Sequence, residues 1–103
     1  MDSALDHSIR EFLPKDDSFV ELEGFFEAAF SSADPTNYYD AIFNLFERFP
    51  EDDGSGVFWS ALHGMEHVGG YEVKLKQYHR RWPNIMTNIM LQRIANAAQD
   101  SSG

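Results

Sequence analysis

The chain has 103 residues, of which 43% are hydrophobic and 15% aromatic, so it is long enough for one domain around one apolar core and too apolar to stay disordered. It contains no cysteine, which excludes disulfides, thiol nucleophiles and cysteine-based zinc sites. Its 17 acidic and eight basic residues give a net charge of −9, which opposes binding to nucleic acid and to anionic membranes.

The charge is spread unevenly along the sequence. Residues 1–53 carry 14 acidic and three basic side chains, whereas residues 54–103 carry three acidic and five basic ones. Such an asymmetry attracts a basic partner to the acidic half, although an acidic composition also serves solubility alone. The N-terminus lacks the pattern of a signal peptide, and no apolar stretch approaches the about 20 residues that span a bilayer, so we expect a soluble, cytoplasmic protein.

Apolar residues recur at helical spacing from the N-terminus onward. The spacing predicts a first helix from about Ser3 to the residue before Pro14. A second helix is predicted to follow a capping box, in which Ser18 and Glu21 each satisfy the other residue's backbone N–H.

The middle of the chain contains two further predicted helices. Asp34 is a suitable N-cap and Pro35 suits the first helical position, so a third helix is expected from there to Pro50. A fourth is expected over 55–67, after an acidic, glycine-rich turn, and it ends before the Gly69–Gly70 pair.

The last third of the chain contains two predicted helices around a proline. The fifth carries Tyr71, Leu75, Tyr78 and Trp82 on one apolar stripe, and Pro83 starts the sixth. No segment alternates apolar and polar residues well enough to predict a strand. We therefore expect an all-α fold, a compact bundle of about five or six short helices in antiparallel hairpins. This single domain spans 1–103, with residues 1–2 and 99–103 frayed.

His63, Glu66 and His67 form an H-x-x-E-H pattern, the inverted signature of zinc proteases. On a helix both imidazoles could face one metal while the carboxylate activates water, which makes a metal-dependent hydrolase an alternative. No third ligand has a recommending spacing, however, and Gly64 weakens the helix by about 1 kcal/mol. We interpret the pattern as packing, with both histidines hydrogen-bonded at the edge of the core and Gly64 admitting another backbone. We expect no catalytic residue, metal or cofactor.

The segment KLKQYHRRWP, residues 74–83, interleaves cations with aromatic side chains, a pattern typical of single-stranded nucleic-acid binding. Tyr78 and Trp82 nevertheless fall on the predicted core stripe, which leaves the cations as a solvated face. The net charge also opposes polyanion binding. We therefore expect no nucleic-acid partner.

Residues 38–72, YYDAIFNLFERFPEDDGSGVFWSALHGMEHVGGYE, combine an aromatic helix ending RFP, a DGSG turn, and VFWS leading into LHG. In these features the sequence resembles the small immunity proteins encoded beside bacterial polymorphic toxins and contact-dependent growth inhibition toxins. The resemblance implies a protein without enzymatic activity, which binds a cognate toxin domain in the cytoplasm and blocks its active site or substrate path. Many such toxins are nucleases with basic clefts, which an acidic partner can occupy.

We expect the acidic N-terminal half to face this basic toxin domain, with an aromatic anchor that holds the complex. The predicted partner-binding residues are Asp16, Asp17, Glu21, Glu23, Glu27, Asp40, Glu47, Glu51, Asp52 and Asp53, together with Tyr38 or Tyr39, whichever points outward. Two other interpretations stay open: a helical adaptor or regulatory domain for a different partner, and a homodimer face formed by exposed aromatic side chains.

Overall fold

The computed structural model describes residues 2–101, with side chains for residues 2–98. Over this range it contains six α-helices and no strand, which confirms the all-α prediction. The helices span Ser3–Arg10 (α1), Glu21–Phe30 (α2), Tyr39–Arg48 (α3), Phe58–Val68 (α4), Glu72–Arg81 (α5) and Ile85–Ser101 (α6). Short 3-10 turns precede α3 and α4, at Pro35–Tyr38 and Gly54–Gly56. None of these helices has the length and hydropathy that crossing a membrane requires.

Helix α3 is the central element of the fold, because it packs against α1, α4, α5 and α6. It is buried on more than one side, with Tyr39, Ala41, Ile42, Phe43, Leu45 and Phe46 all inaccessible to solvent. Next to its C-terminal end, the Phe58 ring lies 5.3 Å from Phe46 and 5.4 Å from Phe19, centroid to centroid. This aromatic cluster joins α3, α4 and the loop before α2 into one core.

The other helices are arranged around α3. The consecutive pairs α1–α2, α3–α4 and α5–α6 are each in contact. Helix α2 packs on α1 and α4, whereas α5 packs on α3 and α6, so the two helices border different parts of the bundle. This arrangement decides which charges can pair within the molecule.

The helix boundaries correct several predictions in the first half of the chain. Helix α1 ends at Arg10 and not at the residue before Pro14. Two backbone carbonyls at this end accept hydrogen bonds from the Arg48 guanidinium, Phe12 O at 2.7 Å and Ile9 O at 3.2 Å. The prediction of a capping box at α2 is wrong, because Ser18 Oγ accepts from the Val20 N–H and not from the Glu21 N–H.

The cap of the third predicted helix is confirmed, with Asp34 Oδ1 accepting from Thr36 N–H at 3.2 Å, although the first turn is a 3-10 turn. A capping box that was not predicted from the sequence precedes α6. Thr87 N–H donates to Asn84 Oδ1 at 2.9 Å, and Asn84 N–H donates to Thr87 Oγ1 at 3.3 Å. This reciprocal pair sets the start of α6 at Ile85, two residues after Pro83.

The expected fraying concerns the two ends of the chain. Met1, Ser102 and Gly103 lie outside the described residues. Within the described range, Asp2 caps α1 through its carboxylate, which accepts from the N–H groups of Ala4 and Leu5. Helix α6 continues as far as Ser101.

Candidate partner-binding surface

The structure divides the ten predicted acidic residues into two groups. Three of them have partners inside the fold: Asp40, Glu47 and Asp52. The other seven are exposed, and among the side chains of residues 2–98 none of them forms an ion pair: Asp16, Asp17, Glu21, Glu23, Glu27, Glu51 and Asp53. The second group can meet a partner without breaking an ion pair, and the Glu23 carboxylate would give up only a 3.5 Å contact with the Ser60 hydroxyl.

Asp40 and Glu47 tie α3 to α5. Lys74 Nζ donates to Asp40 Oδ2 at 2.8 Å, the Tyr78 hydroxyl donates to Asp40 Oδ1 at 2.7 Å, and an Arg81 nitrogen donates to Glu47 Oε1 at 2.7 Å. Burial alone would raise the pKa of Asp40, but the hydrogen bonds from Lys74 and Tyr78 outweigh it and hold that pKa below its usual value. Burial and the same carboxylate raise the pKa of Tyr78 to about 12.

Asp52 has a local structural role. Its Oδ1 accepts the Gly54 N–H at 2.8 Å and so holds the acidic turn in front of α4. In this turn Gly54 has a φ of 62°, and a Cβ at this position would lie 2.7 Å from the Phe58 ring. The turn therefore needs both the carboxylate and the glycine.

Asp16 and Asp17 form the tip of a tight turn between α1 and α2. The turn is closed by the Ser18 N–H, which donates to Lys15 O at 2.9 Å. Both aspartates have positive φ, 53° and 61°, a conformation that aspartate tolerates better than most residues. The turn holds two exposed carboxylates beside the N-terminus of α2, where Glu21 and Glu23 add two more.

A groove of about 350 Å³ lies between α2 and α4. It is lined by Glu23, Phe26, Glu27, Phe30, Ser60 and Gly64. The half-buried ring of Phe30 packs directly over Gly64, and a Cβ on Gly64 would lie 2.5 Å from Phe30 Cε2. The prediction that Gly64 admits another backbone is therefore wrong, since it admits an aromatic ring.

The expectation that Tyr38 or Tyr39 points outward is also wrong. The two residues are 2% and 0% exposed, because both lie where the 3-10 turn enters the central helix α3. The Tyr38 hydroxyl accepts the Asp2 N–H at 2.8 Å, and the Tyr39 hydroxyl donates to Gly69 O at 2.7 Å. Burial, followed by nearby acidic charge, raises the pKa of Tyr39 to about 12.

Within the H-x-x-E-H pattern, Glu66 forms an ion pair that joins α4 to α6. The Arg93 guanidinium donates to both oxygens of Glu66, at 2.7 and 2.9 Å, and its Cζ lies 5.8 Å from the centre of the Trp59 ring. These hydrogen bonds lower the pKa of Glu66. His63 lies 3.5 Å from Glu66 but is 60% exposed, and His67 is exposed too, so their expected place at the core edge is wrong. Among the described residues no three His, Asp or Glu side chains are grouped to hold a metal.

The cations of α5, like the predicted acidic residues, divide into side chains that form ion pairs within the fold and side chains that do not. Lys74 and Arg81 serve the ion pairs with α3, and Arg81 also lies over the Tyr78 ring at 4.8 Å. Lys76 and Arg80 are exposed and form no ion pair in the described part of the chain. Trp82 was predicted on the core stripe, but it is 55% exposed because α5 ends at Arg81 and Trp82 turns out of the helix.

Comparison with protein-family models, curated proteins and solved structures finds no match to this chain. The fold and its surface define a small all-α domain in which unpaired carboxylates are gathered on the turn at residues 15–18 and on α2. The groove next to them was not predicted, although Gly64 inside a helix and Phe30 at the end of α2 were visible signals of close packing.

Proposed function

We propose that this protein is a binding module that neutralises a basic partner protein, in the manner of an immunity protein acting on a bacterial toxin domain. The observation that supports this proposal is the acidic surface formed by Asp16, Asp17, Glu21, Glu23 and Glu27, which are exposed and form no ion pair with any side chain of residues 2–98.

Unpaired carboxylates of one sign repel one another and raise the electrostatic energy of the folded chain. The helix dipole favours Glu21 and Glu23 in the first turn of α2, but it gives no such stabilisation to Glu27 further along the helix. A basic protein surface relieves this repulsion when it docks. Long-range attraction between the two surfaces also accelerates their encounter and selects the partner. A nuclease toxin fits this role because the cleft that binds phosphate is basic, and a protein seated in the cleft excludes the substrate.

The complex also needs contacts that slow its dissociation, which charge alone supplies poorly. The groove between α2 and α4 offers such a contact, because the Phe30 ring is half-buried beside the acidic residues Glu23 and Glu27. The acidic surface and the groove therefore form one continuous candidate interface.

The proposal is tested by co-purification with the product of the adjacent reading frame and by growth rescue of cells that express this product. Glu21→Lys with Glu27→Lys should abolish both capture and rescue. The matched control, Glu11→Lys with Glu72→Lys, makes the same change of charge at exposed positions outside the proposed interface and should retain both. Equal behaviour of the two double variants would remove α2 from the interface, and no capture by the unmodified chain would remove the proposed function.

A further inference from the structure

The groove between α2 and α4 has an aromatic floor and an acidic rim. Phe26 and Phe30 provide apolar surface, and Ser60 and Gly64 form the α4 wall. Glu23 and Glu27 lie one helical turn apart on the opposite wall, and both are exposed. The groove therefore combines a surface for an aliphatic or planar group with two carboxylates for a cation.

This rim carries no cation within the described part of the chain. The hydroxyl of Ser60 reaches Glu23 Oε1 at 3.5 Å, the limit of a hydrogen bond, and the Glu27 carboxylate has no hydrogen-bond donor in this range. Two glutamates at this spacing repel each other by a few tenths of a kcal/mol.

At two other places in this molecule, a carboxylate and an aromatic ring lie together and an arginine contacts both. Arg93 pairs with Glu66 and lies over the Trp59 ring, and Arg81 pairs with Glu47 and lies over the Tyr78 ring. In each case one guanidinium donates N–H groups to a carboxylate while its Cζ lies over an aromatic ring, at 5.8 Å for Arg93 and 4.8 Å for Arg81. The groove has the carboxylates and the aromatic ring, and it lacks the arginine.

We propose that the groove receives an arginine side chain of a basic partner, whose stem lies on Phe30 and whose guanidinium bridges Glu23 and Glu27. This inference rests on the proposed function and specifies what its partner contributes. An apolar segment would bury two carboxylates without compensation, and a nucleic acid would be repelled by them. Lysine fits less well, because its ammonium cannot stack on a ring or bridge two carboxylates with a planar fork.

The inference is tested on the full chain without any partner protein, by following backbone amide chemical shifts by NMR during titration with N-acetylarginine amide. Matched probes are N-acetyllysine amide and the uncharged N-acetylcitrulline amide, which keeps the shape of arginine. We expect saturable shifts at Ser60, Gly64 and the α2 glutamates with the arginine probe. The lysine probe should bind at least about threefold more weakly, and the citrulline probe should produce no saturable shift.

Glu23→Gln with Glu27→Gln should weaken arginine binding at least about fivefold, whereas Glu11→Gln with Glu72→Gln, at exposed positions outside the groove, should change it less than about twofold. Circular dichroism confirms that both variants are folded. Equal weakening by the two variants, or shifts that map to the turn at residues 15–18 and not to the groove, would overturn the inference.

The two proposals fail in different ways. If the unmodified chain binds N-acetylarginine amide but does not capture the partner, the proposed function is contradicted and the groove inference is not. Partner capture that survives Glu23→Gln with Glu27→Gln contradicts the groove inference alone.

Discussion

The α2 side and the α3–α5 side of the molecule both carry acidic residues, but they use them in opposite ways. On α3, Asp40 and Glu47 are each held by a cation of α5. On α2, Glu21, Glu23 and Glu27 face solvent without a cation in the described range. The difference shows that the number of acidic residues in a segment does not measure the charge that it offers to a partner.

The two regions differ for a topological reason. Helix α5 carries most of the cations of the second half of the chain, and it packs on α3, not on α2. The carboxylates of α3 therefore meet cations during folding, and those of α2 do not. Carboxylates that stabilise the fold are unavailable for docking, whereas those of α2 remain available.

High pH should damage the α3–α5 side most strongly. Burial is the main cause that raises the pKa of Tyr39 and Tyr78 from 10.0 to about 12. A raised folded-state pKa contributes stability that is complete below pH 10 and is lost as the pH rises towards 12. We expect the free energy of unfolding, measured in urea, to fall over this window, and Tyr39→Phe should reduce the fall. A flat profile between pH 10 and 12 would contradict this burial.

Removal of a carboxylate that forms an ion pair should lower the free energy of unfolding more than removal of an unpaired one. Glu66→Ala leaves Arg93 without its two hydrogen bonds and should lower the free energy of unfolding by about 1 kcal/mol, since the pair is partly screened by solvent. Glu27→Ala, on the free side, should change it by less than about 0.5 kcal/mol. Urea denaturation of the two variants makes the comparison, and similar losses would refute the distinction between paired and free carboxylates.

Two helix glycines give a matched test of the packing at the groove. A Cβ at Gly24 meets nothing within 4 Å, so Gly24→Ala should stabilise α2 by about 0.5–1 kcal/mol. Gly64→Ala should destabilise by about 1 kcal/mol, because the clash with the Phe30 ring exceeds the gain in helix propensity. Thermal unfolding measures both changes, and a stabilising Gly64→Ala would show that Phe30 does not pack on α4 as described.

The smallest effect is expected in acid. The pKa values of Asp40 and Glu66 are lowered, so these groups contribute stability above their unfolded pKa that is lost as the pH falls through the folded one. Asp40→Asn should therefore flatten the acid limb of the stability profile slightly and lower the free energy of unfolding near neutral pH by about 0.5 kcal/mol, because the pair with Lys74 is partly exposed. An acid limb that is unchanged in this variant would show that the contact with Lys74 and Tyr78 contributes nothing.

Much of the fold could be predicted from the sequence, because helical periodicity and the Asp34–Pro35 start are local signals. The errors arose at the ends of helices, which the spacing of apolar residues does not determine. Trp82 continues the apolar stripe by spacing, but it lies one residue beyond the end of α5. The Ser18 cap failed because the turn of left-handed residues before it diverts the side chain to Val20.

The candidate site was predictable only in part. The acidic composition pointed to the half of the chain that contains the exposed carboxylates of α2, but the separation of free from paired carboxylates depends on contacts between residues more than 30 positions apart, such as Asp40 with Lys74. Both tyrosines fall on the apolar side of the predicted third helix, and the sequence does not show that neither of them reaches the surface. Both are buried because α3 is covered by helices on several sides.

The central claim is that the acidic α2 side docks onto a basic protein. Its most direct test is the association rate with the product of the adjacent reading frame, measured as a function of salt concentration. The account predicts a rate that falls steeply with added salt, and that loses this dependence in the Glu21→Lys, Glu27→Lys variant. A salt-independent rate, or a complex that is broken by Lys76→Glu with Arg80→Glu and not by the α2 variant, would contradict it.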